Sequence, residues 1–249
     1  MKTIFITGGT SGIGFALAEH YLAQGNRVII TGRTESKLNE AANNLSQYGD
    51  LLIAKLIDVV ERDAMSEYIL EMDSKYTLDM VIANAGVSAG VSNIKDFDGV
   101  ARNIFDINVY GVFNTVHPIL ERMQERKSGH IVLICSMSAF FGLTSAIFYA
   151  SSKAAIKSYG EGLRMLMSDY NVDVSTVFPG FVESSITRAN KFGMPFLISS
   201  KQAADTITKG LDKKKGYILF PWRMRLLIGF LAILPFSWRE KILKKLPHK

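Results

Sequence analysis

Tyr149 and Lys153 stand four positions apart in "FYASSK", a stretch that otherwise reads as an ordinary helix. Residues four apart on a helix are neighbours, about 5–6 Å apart at Cβ, so this phenol and this ammonium can touch the same small molecule. A phenol titrates near 10, and an adjacent positive charge favours its phenolate form. The plainer alternative is a half-buried tyrosine beside a solvated lysine, since any long sequence contains such pairs. A second stretch bears on the choice. "TGGTSGIG", residues 7–14, carries Gly8, Gly12 and Gly14 ahead of the helical pattern "FALAEHYLAQ". Glycines there allow tight turns and let a phosphate approach backbone N–H groups at a helix N-terminus. The spacing is GxxxGxG rather than GxGxxG, and taken alone it is only a glycine-rich turn. Arg33 stands 19 residues after Gly14, where a site for NAD usually places an acid on the ribose 2′-hydroxyl. An arginine fork suits a 2′-phosphate instead, which favours NADP(H) over NAD(H). A surface arginine is the alternative, and the glycine loop offers no second basic residue.

These residues need elements to hold them. "KTIFIT", "NRVIIT", "LLIAKLI", "LDMVIA", "GHIVLICS", "VDVSTVF" and "GYILF" read as seven strands, rich in β-branched residues and bounded by Gly, Asn, Asp or Pro. Segments of helical length and period lie between them. The alternation predicts βαβ units and a doubly wound, seven-stranded parallel sheet with helices on both faces. In such a sheet ligands bind beyond the carboxyl ends of the strands, where the chain order reverses. Residues 1–221 read as one α/β domain and residues 222–249 as an appended tail.

The remaining strand ends carry Asp58 and Val59 in "LIDVV", Asn84, Ala85 and Gly86 in "ANAG", and Ser136 in "CSMSAF", 13 residues before Tyr149. Taken with Thr7, Gly8, Gly12, Ile13 and Gly14, Asn108 in "INVYG", the Tyr149 to Lys153 pair, and Pro179 and Gly180, the series resembles that of the short-chain dehydrogenases/reductases. It matches the single-domain branch of about 250 residues, with every motif in order from residue 2 to about 220.

The resemblance implies an enzyme acting on CH–OH or C=O groups with NAD(P). Tyr149 would be the general acid in ketone reduction and the general base in alcohol oxidation, its pKa lowered by Lys153 and by oxidised nicotinamide. Lys153 would also bond the nicotinamide ribose. Ser136 would donate to the substrate oxygen as charge develops, and Asn108 would hold a water connecting Lys153 to solvent. Ser138, two residues on, is the rival to Ser136. Cofactor contacts would come from Gly8, Thr10, Ser11, Gly12, Ile13, Gly14 and Arg33. Asp58 and Val59 would lie at the adenine, Asn84, Ala85 and Gly86 at the ribose turn, and Pro179, Gly180 and Val182 beside the nicotinamide. Tyr149 and Lys153 would touch the cofactor as well.

Composition narrows the setting. Cys135 is the only cysteine, so no intrachain disulfide forms and a reducing, cytoplasmic compartment is expected. Cys135 itself reads as a small buried hydrophobe. The four histidines are scattered and no metal-ligand spacing appears, so no metal is expected. The run Ile4-Phe5-Ile6 is too short for a signal-peptide core, and no apolar stretch is long enough to span a bilayer. The net charge of +6 lies wholly in the tail, which has seven Lys/Arg and one Glu against 22 basic and 22 acidic residues elsewhere. The tail is greasy as well as basic, which argues against a nucleic-acid partner. Residues 226–234 carry no charge. Ser237 and Glu240 fit a capping box, with Trp238, Ile242 and Leu246 on one helical stripe and Arg239, Lys241, Lys244, Lys245 and Lys249 elsewhere. Such a helix suits the surface of an anionic membrane, here the cytoplasmic face. The alternative is a subunit contact in a homodimer or homotetramer. A membrane-facing reductase suggests a lipophilic carbonyl or alcohol substrate. Residues 183–200, with Phe192, Met194, Pro195, Phe196 and Leu197, are expected to cover it.

Three other readings compete. One is a soluble 3-oxoacyl-thioester reductase, against which the tail counts. Another is a non-catalytic dinucleotide sensor or scaffold, against which the complete Ser/Tyr/Lys/Asn set counts. The third makes membrane or nucleic-acid binding the main function.

Overall fold

The computed structural model describes residues 1–89, 94–184, 187 and 193–244. Seven strands form one parallel sheet: β1 Thr3–Thr7, β2 Arg27–Gly32, β3 Leu52–Leu56, β4 Met80–Ala83, β5 His130–Ile134, β6 Asp173–Pro179 and β7 Tyr217–Phe220. Their order is β3-β2-β1-β4-β5-β6-β7. The chain reverses direction across the sheet between β1 and β4, which pair through Ile4 to Ile6 against Met80 to Ile82. The carboxyl ends of those two strands therefore diverge into separate connections and leave a crevice.

The helices are α1 Gly12–Ala23, α2 Glu35–Asn44, α3 Arg62–Tyr76, α4 Phe97–Phe105, α5 Gly111–Glu125, α6 Ile147–Ser168, α7 Ser200–Asp212, α8 Trp222–Ile233 and α9 Phe236–Leu243. Two apolar cores result, one per face of the sheet. Phe5, Val81 and Leu133 point into one with α3, α5 and α6. Ile4, Ile6, Ile30 and Val132 point into the other with α1, α2 and α7. Alternate residues of a strand face opposite sides, so a strand covered twice must be apolar throughout. β1, β4 and β5 are buried at every position.

β3 departs from the expectation of strands covered on both faces. Ala54, Lys55 and Leu56 are exposed, because β3 is an edge strand with β2 as its only neighbour. The expected capping box at Ser237 and Glu240 is also absent. Helix α9 starts at Phe236 behind Pro235, and Glu240 pairs instead with Lys244 at 2.9 Å. A capping box forms where none was expected, at Ser199 and Gln202 opening α7. Pro235 fixes its own φ and disfavours helix at Leu234, so the chain breaks and restarts one residue before the serine. Leu246, Lys245 and Lys249 of the expected stripe, and Phe192 of the expected cover, lie outside the described residues.

Candidate active site

At the end of β1 the chain turns under backbone control. Gly8 adopts φ +65, in the left-handed region that disfavours other residues. A Cβ on Gly14 would lie 2.4 Å from both the Gly8 carbonyl oxygen and the Asn84 side-chain nitrogen. Glycine at 14 thus lets α1 begin directly against the β1 turn. Asn84 locks that turn to the end of β4: its Nδ2 donates to the carbonyls of Thr7 (2.9 Å) and Gly8 (3.0 Å). The Thr7 hydroxyl accepts from the backbone N–H of Asn84 at 3.1 Å.

A cleft of about 290 Å³ opens across these strand ends. Gly8, Thr10, Ser11, Gly12 and Ile13 line it from the first turn, Arg33 from the second, and Asp58 and Val59 from the third. Asn84, Ala85 and Gly86 follow β4, Ser136 follows β5, Tyr149 and Lys153 come from α6, and Pro179, Gly180 and Val182 follow β6. Gly14 and Asn108 stand outside the lining. Gly14 acts through the packing just described. Asn108 is fully buried in the π-helical turn Asp106–Tyr110, behind Gly86. Its carbonyl accepts from Val87 N–H at 2.8 Å, and its Nδ2 donates to Val87 O (2.9 Å) and Ser152 Oγ (3.0 Å).

Thr31 and Lys37, which sequence reasoning passed over, also line the cleft, as do Ser184 and Thr187 of the expected cover. Lys37 is the second basic residue missing from the glycine loop, supplied by the first turn of α2, four positions after Arg33. That spacing was the available signal. The Thr31 hydroxyl is buried and without a hydrogen-bond partner among the described residues.

Helix α6 delivers the phenol and the ammonium from one face, as their spacing requires. Tyr149 and Ser136 both line the cleft, with the serine hydroxyl near enough to the phenol to favour its ionised form. Ser136 caps the short turn Met137–Phe140, its Oγ accepting from Ser138 N–H at 3.1 Å. The Ser138 hydroxyl, in contrast, is buried without a partner among the described residues and lies away from the cleft. Of the two serines, then, 136 is the one brought to the tyrosine. Lys153 is buried and donates from Nζ to the Ile134 carbonyl at 2.9 Å, and its Nζ lies 5.9 Å from the centre of the Tyr149 ring.

Electrostatics depart from expectation at the phenol. Burial pushes Tyr149 up to about 12; the Ser136 hydroxyl opposes this, and the neighbouring Cys135 adds to it. Burial shifts the pKa of the neighbouring Lys153 down, favouring its neutral form. The Cys135 thiol is pushed up to about 11 by burial and donates to the Lys153 carbonyl at 3.1 Å. It is a buried, protonated thiol, as its apolar surroundings in the sequence implied.

The family model described as "short chain dehydrogenase" matches residues 2–194. An "Uncharacterized oxidoreductase" of Myxococcus xanthus is 34% identical over 236 residues, covering 94% of this chain and 93% of that protein. Another from Staphylococcus saprophyticus is 29% identical over 85% of this chain and 92% of its own length. Among solved structures, a short-chain dehydrogenase from Sphingobium yanoikuyae in complex with NADPH superposes with a TM-score of 0.83 at 19% identity, covering 99% of this chain and 97% of that one. One from Burkholderia phymatum in complex with NAD reaches 0.85 at 20% identity, covering 100% and 96%. This chain belongs to the short-chain dehydrogenase family and is an oxidoreductase.

Proposed function

We propose that the protein reduces a ketone on a lipophilic, lipid-like substrate with NADPH, or runs the reverse oxidation of a secondary alcohol, in a Rossmann domain of residues 1–221. The observation that carries this reading is the meeting of Ser136, Tyr149 and Lys153 in the cleft that also holds the glycine turn and Arg33. The residues suit a nicotinamide dinucleotide. Backbone N–H groups at the start of α1 can receive a pyrophosphate, Arg33 and Lys37 can take a 2′-phosphate, and the unpaired Thr31 hydroxyl offers a donor on the cleft wall. Among the described residues neither Arg33 nor Lys37 is in an ion pair, which supports NADP(H) over NAD(H). The bound dinucleotide supplies or accepts the hydride.

The chain's own groups handle the proton. With its pKa held up by burial, Tyr149 is protonated at neutral pH and suits general-acid work on a carbonyl oxygen. Its proton goes to that oxygen, and Ser136 donates a hydrogen bond to the same oxygen as charge develops. Lys153 orients the cofactor ribose, and its charge, once expressed against a bound phosphate-bearing ligand, eases loss and recovery of the phenolic proton. Asn108 holds the Gly86 and Val87 backbone beside Lys153, and a water on its carbonyl would relay protons outward.

The tail of residues 222–249 places the enzyme peripherally on an anionic membrane surface. Trp222, Phe230, Ile233 and Trp238 are 65%, 56%, 78% and 64% exposed, beside Arg223, Arg225, Arg239, Lys241 and Lys244. No helix among the described residues is long and apolar enough to cross a membrane. The test incubates the protein with NADPH and a total lipid extract and identifies the carbonyl consumed. Consumption of an apolar ketone that requires Tyr149 is expected. NADPH binding with no carbonyl consumed would favour a dinucleotide sensor, and consumption of 3-oxoacyl thioesters alone would favour the soluble reductase.

A further inference from the structure

The C-terminal helices do more than hang from the domain. Helix α8 sits directly on Gly180, a residue of the cleft: a Cβ there would lie 2.4 Å from Met224 Sδ. Met224 and Ile228 pack inward on the core of the α3, α5 and α6 face, and Leu231 is buried. Helix α8 also touches β7 and the turn Met137–Phe140 that Ser136 caps.

Two arginines of the tail reach the two segments that flank the catalytic residues. The Arg223 guanidinium lies 5.4 Å from the Phe196 ring, in the segment after β6. The Arg239 guanidinium lies 5.1 Å from the Phe141 ring, just past the Ser136 turn after β5. Cation–aromatic contacts at such distances are attractive. Phe196 and Leu197 are themselves exposed, so this rim is apolar on its outer side.

Basic residues also lie beside α8. A groove beside α8 is lined by Lys209, Lys213, Lys215 and Arg225 with Phe140 and Tyr217; among the described residues no carboxylate lines it, although the Tyr217 hydroxyl donates to Glu161 behind it. The only acid in the described part of the tail, Glu240, is paired with Lys244. Exposed aromatics beside basic residues complement an anionic lipid surface, where each basic residue adds attraction and each ring enters the interface.

Resting on the reductase reading above, we propose that α8 and α9 form one wall of the substrate entrance. The apolar substrate passes to Tyr149 straight from an anionic bilayer, through a mouth rimmed by Phe141, Phe196 and Met224. Arg223 and Arg239 hold that rim in place, so one face of the molecule serves for both docking and admission. The substrate never has to leave the lipid for water.

Both tryptophans of the chain, Trp222 and Trp238, lie in the tail, so intrinsic tryptophan emission reports the tail alone. The full chain is mixed with phosphatidylglycerol vesicles carrying brominated acyl chains, which quench tryptophan on contact. Two single-tryptophan proteins are built on a Trp222→Phe, Trp238→Phe background: Phe196→Trp at the rim and Met165→Trp as a distant control. Met165 is exposed on α6, 16 residues beyond Tyr149 and so about 24 Å further along the helix. The native tail and Phe196→Trp should both be quenched, while Met165→Trp should keep its emission. Quenching of the native tail with Phe196→Trp untouched would overturn the shared face and leave membrane association standing. An unquenched native tail would overturn the membrane reading as well, and emission that shifts only with protein concentration would assign the face to a second copy of the chain.

Discussion

At the glycine-loop end of the cleft, position is set by backbone and by groups with nowhere else to go. Gly8 and Gly14 meet Asn84 at contact distance, Thr7 and Asn84 tie β1 to β4, and those two strands are buried at every position. At the opposite end, α8 and α9 rest on the domain through Met224, Ile228 and Leu231 and turn most of their apolar side chains outward. The first region tolerates almost no added volume, because its neighbours are main-chain atoms with no alternative rotamer. The second is a surface that turns large apolar side chains to solvent. On the proposed function, the difference would separate residues that bind a constant partner, the dinucleotide, from residues that adapt the enzyme to its particular substrate and setting.

The sharpest way to break that contrast lies where the two regions meet. Tyr149→Phe should lower ketone-dependent NADPH oxidation by about 10²–10⁴-fold, the range for loss of a general acid, while NADPH binding measured by fluorescence stays unchanged. A variant retaining most of its rate would remove Tyr149 from the chemistry. Next in size is an acid response of the buried sheet. Burial pushes His130 down to about 4 from the ordinary 6.5, and its Nε2 lies 2.8 Å from Ser175 Oγ. The unfolded chain therefore takes up a proton before the folded one does. Stability present above pH 6.5 should be lost as the pH falls toward 4, by about 3 kcal/mol in full. Denaturant titrations of the protein and of His130→Gln across that window check it, and the variant should show a flatter profile.

Gly14→Ala should cost about 1–3 kcal/mol by overpacking, whereas Leu226→Ser on the outward face of α8 should change stability by less than about 0.5 kcal/mol. Equal losses of Tm for the two would erase the distinction between the regions. The smallest effect expected is on cofactor choice. Arg33→Asp should move the ratio of kcat/KM values from NADPH toward NADH, and Lys37→Ala should do so to a lesser degree. An unchanged ratio in both would take the 2′-phosphate away from this corner of the cleft.

Much of the cleft was legible because its determinants are local or periodic. The i to i+4 step from Tyr149 to Lys153 is a property of any helix, and the sheet places each residue that follows a strand along one edge. Choosing Ser136 over Ser138 needed the resemblance, since both follow β5 at strand-like spacing. What separates them is the 3₁₀ turn opening at Met137, which leaves one hydroxyl at Tyr149 and buries the other. Lys37 was passed over because it belongs to a helix rather than to a strand end. The capping box at Ser237 failed because Pro235 overrode a side-chain signal with a backbone one. At Tyr149 the net shift is upward because burial acts on the phenol and on Lys153 alike and disfavours the charge of each, which no sequence spacing reveals.

Strand number, the parallel sheet and the identity of the groups along its edge came from the sequence by itself, because apolar runs, turn residues and fixed helical spacing are written in one dimension. Tertiary structure alone decided which serine meets the phenol, how far burial holds its proton, and that α8 closes over Gly180 to join the tail to the cleft. Those outcomes depend on contacts between residues far apart in the chain, where desolvation and packing are set by neighbours that no local pattern names.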